Sequence, residues 1–147
     1  MKIQEQDHYH GAALTQIVEA SAFTALNSDP EKYGLYVINH DRRVLIKHAA
    51  KTRADGKYQF TFNSSDLQTL QQQGGKHADK TFVALVCAHQ VICGLSLAQL
   101  GSLVYLAGTG NQWVTVEAPA GRQLRTRGTL GDGPLVAISA FPAMVLK

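Results

Sequence analysis

Between Thr81 and Ala88 the chain reads TFVALVCA, a run with no charged side chain and no alternation of polar with apolar residues. Successive side chains of a strand point to opposite faces, so a strand with one wet face alternates, and one that is apolar throughout is covered on both sides. This stretch therefore requires a central strand with other elements packed above and below it. Val91 to Leu95 follows after a short break, and the two runs predict a hairpin.

The remaining elements follow from spacing. From about His10 to Leu26, apolar residues recur three and four apart (Leu14, Ile17, Val18, Ala22 or Ser21, Leu26), which predicts one amphipathic helix with Gln16 and Glu19 on its polar face. Tyr33 to Asn39 and Arg43 to Ala49 are β-rich runs separated by three residues, a second hairpin. Tyr58 to Phe62 predicts a strand with Tyr58, Phe60 and Phe62 on one side. Ser64 or Ser65 is placed to cap a helix running to about Gln72, with Leu67 and Leu70 inward and the glycines of QQQGG as its stop. Ser96 caps a third helix, Leu97 to Tyr105. Trp113 to Glu117 and Gln123 to Arg127 form a hairpin around Pro119 to Gly121, and Leu135 to Ile138 is a last strand. Helices interspersed with hairpins predict an α+β fold: a single domain over residues 1–147, with a mixed or antiparallel sheet and about three helices packed on it.

With 147 residues, 45% of them apolar and 17% charged, the chain can bury roughly two-thirds of its unfolded surface without metal or disulfides. It has no apolar run long enough to span a bilayer, and Glu5, Asp7 and two histidines stand where a signal peptide would be hydrophobic. The expectation is a soluble cytoplasmic protein with no membrane partner. Cys87 and Cys93 lie in the apolar hairpin. A two-residue turn at His89 and Gln90 would put them on opposite sheet faces as free thiols, whereas a three-residue turn would reverse that parity.

Charge is uneven. Between His40 and Tyr58 stand six cations (Arg42, Arg43, Lys47, Lys51, Arg53, Lys57) against two anions, Asp41 and Asp55. Arg122, Arg125 and Arg127 form a second basic cluster with no acid between Glu117 and Asp132. Positive potential of this kind attracts polyanions. The nearby aromatics Tyr33, Tyr36, Tyr58, Phe60 and Phe62 would complete a single-stranded nucleic-acid platform, although core packing explains Phe60 and Phe62 equally well.

No pattern of catalytic residues emerges. The HxH of His8 and His10 precedes the first helix, and His40, His48, His77 and His89 lie at turns and strand ends without a carboxylate partner in sequence. The serines suit helix caps, there is no GxSxG, and AGTGNQ lacks the lysine of a phosphate loop. The expectation is no catalytic residue, no metal and no cofactor.

The segments YHGAALTQIVEA, KYGLYVIN, LIKHAAK, YQFTF, KTFVALVC, QWVTVE and AFP, spread over nearly the whole chain, resemble a family of small uncharacterised bacterial proteins. That resemblance implies a shared fold and no particular activity. More loosely, a helix followed by a strand hairpin ending in a lysine is similar to the core of restriction-endonuclease-like nucleases. There, an acid on the first strand and an acid, any residue, lysine triplet on the second hold a divalent metal. The triplet here is Leu45, Ile46, Lys47, and Tyr33 to Asn39 has no acid. Leucine cannot coordinate a hard cation, so Glu19, Asp29, Glu31 and Asp41 would have to supply the oxygens.

Two functions follow. The first is a non-catalytic interaction module that self-associates or binds a protein partner through a sheet edge or through the apolar finish Phe141, Pro142, Met144 and Leu146. The second is a nucleic-acid-binding domain with a degenerate nuclease-like core, using Arg42, Arg43, Lys47, Lys51, Arg53, Arg122, Arg125 and Arg127.

Overall fold

The computed structural model describes residues 4–20 and 25–146. Its elements in chain order are α1 (Glu5–Val18), β1 (Leu26–Ser28), β2 (Leu35–Ile38), β3 (Arg42–Ala49), β4 (Tyr58–Phe62), α2 (Ser64–His77), β5 (Thr81–Cys87), β6 (Val91–Ser96), α3 (Leu97–Gly101), β7 (Gln112–Glu117), β8 (Leu124–Gly128), β9 (Gly131–Val136) and α4 (Ala143–Leu146). The fold is α+β, but the strands divide between two sheets. Five form a mixed sheet in the order β1-β2-β3-β5-β6, and four form an antiparallel sheet in the order β4-β7-β8-β9. Hairpin signals are local; which hairpin then joins which sheet depends on long-range pairing that spacing does not encode.

Strand β5 is the centre. It pairs parallel to β3 from Arg43↔Thr81 to Ala49↔Cys87, and antiparallel to β6, and all seven of its residues are buried. Val83, Leu85 and Cys87 point to a core shared with α2, α3 and the second sheet. Phe82, Ala84 and Val86 point to a core closed by Tyr9, Ala13 and Ile17 of α1 and by Phe141, Val145 and Leu146 near the C-terminus. In the apolar finish, Phe141 and Leu146 are buried against the protein's own sheet, while Pro142 and Met144 are half-buried.

Four local expectations are corrected. Helix α1 begins at Glu5, because Gln4 and Asp7 form a reciprocal capping box, and it ends at Val18; this brings His8 and His10 into the helix. The inner positions assigned to Ser21 or Ala22 lie outside the described residues, and Leu26 belongs to β1. Asn63, not a serine, caps α2 by accepting from the Asp66 N–H at 2.9 Å. That helix runs through Gly74 and Gly75 to His77; a Cβ at Gly74 would sit 2.4 Å from Leu97 Cδ2, so glycine serves close approach to α3 rather than a stop. The third helix is shorter than expected, closing at Gly101.

The turn between β5 and β6 holds three residues, Ala88 to Gln90, with Ala88 at φ +49°. Cys87 therefore faces Val91 and Cys93 faces Leu85, which places both thiols on one face, free and buried. Burial pushes the Cys93 thiol up to about 12 and raises Cys87 as well, with Cys93 adding to the effect there. Neither is a thiolate near neutral pH, and the thiolate is the nucleophile. Titration with an aromatic disulfide reagent is expected to label neither cysteine in the native protein and both in denaturant; rapid native labelling would contradict this packing.

Candidate nucleic-acid interface

The short β2 opens a cleft. Its pairing with β3 stops at Leu35↔Leu45, and one further bond runs from the Ile46 N–H to the Gly34 carbonyl at 2.8 Å. Strand β3 continues to Ala49 with β5 on one side only, and beside it lies a cavity of about 360 Å³ walled by α1, β3, β4 and the first turn of α2. Gly34 makes the narrow end: its φ is +91°, and a Cβ there would lie 3.1 Å from the Ile46 carbonyl oxygen and 3.2 Å from the His10 ring.

Two lysines meet one carboxylate at the edge of this cleft: Lys47 and Asp66 line it, and Lys32 reaches Asp66 from a neighbouring hollow that it shares with Asp29 and Glu31. Lys47 Nζ donates to Asp66 Oδ2 at 2.7 Å, and Lys32 Nζ donates to Asp66 Oδ1 at 2.8 Å. The Asn63 N–H also donates to Oδ2, at 3.2 Å, so the same carboxylate completes the α2 capping box. Lys47 lies 5.6 Å from the centre of the Phe62 ring. The Asp66 side chain is 5% exposed and the two lysine side chains 21% and 23%, so one buried carboxylate is shared by two partly exposed ammonium groups. Burial alone would raise the Asp66 carboxyl, but hydrogen bonds from Lys32 and Lys47 outweigh it and hold the group below its ordinary 3.8.

Aromatic and imidazole rings form the α1 wall. His10 is 5% exposed; its ring lies 4.9 Å from Tyr33 and 6.1 Å from Tyr36, and its Nδ1 has no hydrogen-bond partner. Burial chiefly, then the positive charges His48 and Lys47 would add, hold His10 below its usual 6.5, with Asp7 opposing. His48 stacks on Tyr9 at 4.8 Å and is likewise lowered, chiefly by burial. The Tyr33 hydroxyl donates to Asp7, a hydrogen bond that pushes its own ionisation up to about 12.

The outer face of the second sheet adjoins the cleft through β4. Gln59 and Thr61 line the cavity, Gln59 pairs with Thr115, and Thr115 pairs with Arg127. At about 4.8 Å between strands, this row carries polar groups some 10 Å across the sheet. A second hollow of about 310 Å³ lies there, with Lys57, Arg125 and Arg127 around it. Their partners are loose: Arg125 to Glu117 at 3.5 Å and Arg127 to Asp132 at 3.8 Å, all exposed pairs of the kind worth about 0–1 kcal/mol.

The basic residues named from sequence therefore do not share one surface. Lys47 lies in the cleft and Arg125 and Arg127 on the adjoining sheet face, while Arg122 occupies the exposed turn between β7 and β8. Lys51 and Arg53 are exposed in the loop from β3 to β4, with Arg53 3.5 Å from Asp55. Arg42 and Arg43 sit at the far end of β3, about 13–16 Å from Lys47 by strand rise, where Arg42 pairs with Asp41 at 2.9 Å and Arg43 donates to the Asp41 carbonyl.

Leu45, at the acid position of the nuclease-like triplet, is 1% exposed in the core, and β2 reads LYVI. The acid that does reach Lys47 comes from α2, a residue whose capping position hides its second role in the sequence. Both Asp66 oxygens are already engaged, and among the described residues no group of three or more His, Cys, Asp or Glu is placed to hold a metal ion. Asp41 is held by Arg42 and Lys80, and Asp29 accepts from the Glu31 and Lys32 N–H groups. Also unforeseen were Lys32 and the packing of His10 on Tyr33. Among the described residues no helix is long and apolar enough to cross a membrane. The chain matches no family model, no curated protein and no solved structure.

Because the Asp66 carboxyl is held below 3.8, its ion pairs stabilise the fold above that pH and the contribution is lost as pH falls through the lowered value. Asp66→Asn is expected to cost about 2–4 kcal/mol near neutral pH and progressively less in strong acid. Urea denaturation across that range measures it; a pH-independent difference would show that packing, not charge, is what the substitution removes.

Proposed function

We propose that this chain is a nucleic-acid-binding domain whose cleft and adjoining sheet face grip the phosphate backbone. One observation carries the reading: Lys47 and Lys32 converge on a single buried carboxylate, so that two ammonium groups share one acid beside a cavity lined by polar and aromatic groups. Lys57, Arg125 and Arg127 extend that positive character over the face next to it. Their weak pairs with Glu117 and Asp132 exchange readily for phosphate, because exposed ion pairs gain little in water. Strand cleavage of the nuclease type is not part of this reading: among the described residues, the acid paired with Lys47 is spent on two lysines and a helix cap.

Affinity for a mixed-sequence oligonucleotide is expected to fall steeply with salt, since each neutralised phosphate releases counterions. Lys47→Ala should weaken binding roughly fivefold to tenfold and flatten the log–log salt slope by about one, as the loss of one phosphate contact does. Arg43→Gln, at the distant end of β3, should change neither. Fluorescence anisotropy over a salt series reads both quantities; no binding at low salt would end the proposal.

A second reading, self-association or a protein partner, is favoured by one feature. Strand β9 is a sheet edge, and Leu130, Leu135 and Ile138 on and beside it are 50–60% exposed. Edge strands with apolar side chains are sites of pairing with another chain. On this reading, light scattering after size exclusion gives a mass above 15.9 kDa that Leu135→Asp returns to the monomer value; a strict monomer at high concentration rejects self-association.

A further inference from the structure

Among the described residues, Tyr33 is the tyrosine that lines the cleft and is largely exposed, at 55%, and its side chain is engaged at two points. Its hydroxyl donates to Asp7 on α1, and its ring packs against His10 with the planes 31° apart. An aromatic ring held still with an open surface is a stacking platform, and stacking is how proteins hold bases without regard to sequence. The same cavity carries Lys47 and Asp66 on another wall, and Gln59 and Thr61 of β4 between them. The glutamine amide both donates and accepts, as the edge of a base requires. His10 lies buried behind Tyr33, and its ring backs the exposed tyrosine.

Size selects among nucleic-acid forms. A cavity of about 360 Å³ is at the small end of ligand sites and admits one nucleotide rather than a duplex. In a duplex each base is stacked on both faces and offers no surface to Tyr33, unless it is flipped out at a cost. We propose that the cleft holds a single unpaired nucleotide, its base stacked on Tyr33 and its phosphate at Lys47. This rests on the nucleic-acid reading above and narrows it to single strands, strand ends or displaced bases.

Paired binding measurements test it, with a single-stranded oligonucleotide and the blunt duplex of the same sequence, both at low salt. The wild-type chain should prefer the single strand by about tenfold, and Tyr33→Ala should remove that preference by lowering single-strand affinity to about that for the duplex. Tyr33→Phe keeps the ring and its packing on His10 but loses the bond to Asp7, and should fall between wild type and Tyr33→Ala. A fluorescent base analogue in the single strand should be quenched by the wild type and by Tyr33→Phe but not by Tyr33→Ala. Equal affinity for both forms, or an alanine variant indistinguishable from wild type, overturns this inference and leaves the broader reading standing. Binding of neither form overturns both.

Discussion

The molecule is organised by the burial of β5 on both faces. A strand with Val83, Leu85 and Cys87 on one side and Phe82, Ala84 and Val86 on the other has no stable place at a surface. It must have a layer above and a layer below, and the chain provides α1 with the C-terminal turn on one side and α2, α3 and a second sheet on the other. The parallel pairing of β3 with β5 follows. Parallel neighbours need a crossover, and the segment carrying β4 and α2 makes it, which puts the α2 N-terminus over the open half of β3. The cleft is thus a by-product of how the central strand is covered.

Strand positions were legible in the sequence because they depend on local pattern. Tyr58, Phe60 and Phe62 alternate inward as their spacing predicts, and the hairpin around Pro119 to Gly121 forms where its turn residues stand. What needed non-local information was lost: one sheet became two, and the helix start moved from His10 to Glu5 because a glutamine and an aspartate close a capping box. The cysteines show how one residue decides a face. A turn of three rather than two residues brings both thiols to one side of the sheet, since side-chain direction reverses at every step along a strand.

The candidate site was less legible. Lys47 was singled out, but Asp66 reads in sequence only as the third residue of a capped helix, and Lys32 as part of a turn. Their meeting spans thirty-odd residues in one case and nineteen in the other, and arises from the crossover alone. The basic clusters illustrate the converse. Arg42 and Lys47 are close in sequence, yet the extended strand separates them, and Arg42 is turned to Asp41. Arg125 and Arg127, remote in sequence, lie nearer to the cleft because the β4, β7, β8 register carries the sheet face back to it.

The charge balance at Asp66 bears on what the cleft can do. A buried carboxylate with one lysine is a neutral pair whose desolvation roughly cancels its attraction, and apolar residues of similar size would serve stability as well. A second lysine alters that balance. One carboxylate then faces two ammonium groups, and both lysine side chains keep about a fifth of their surface in water. An anion arriving from solvent would meet those ammonium groups without first breaking the pairs to Asp66. A divalent cation would meet the opposite situation, two ammonium groups in front of the one carboxylate it needs. The same three residues that hold α2 on the sheet thus set the charge that a ligand entering the cleft would meet.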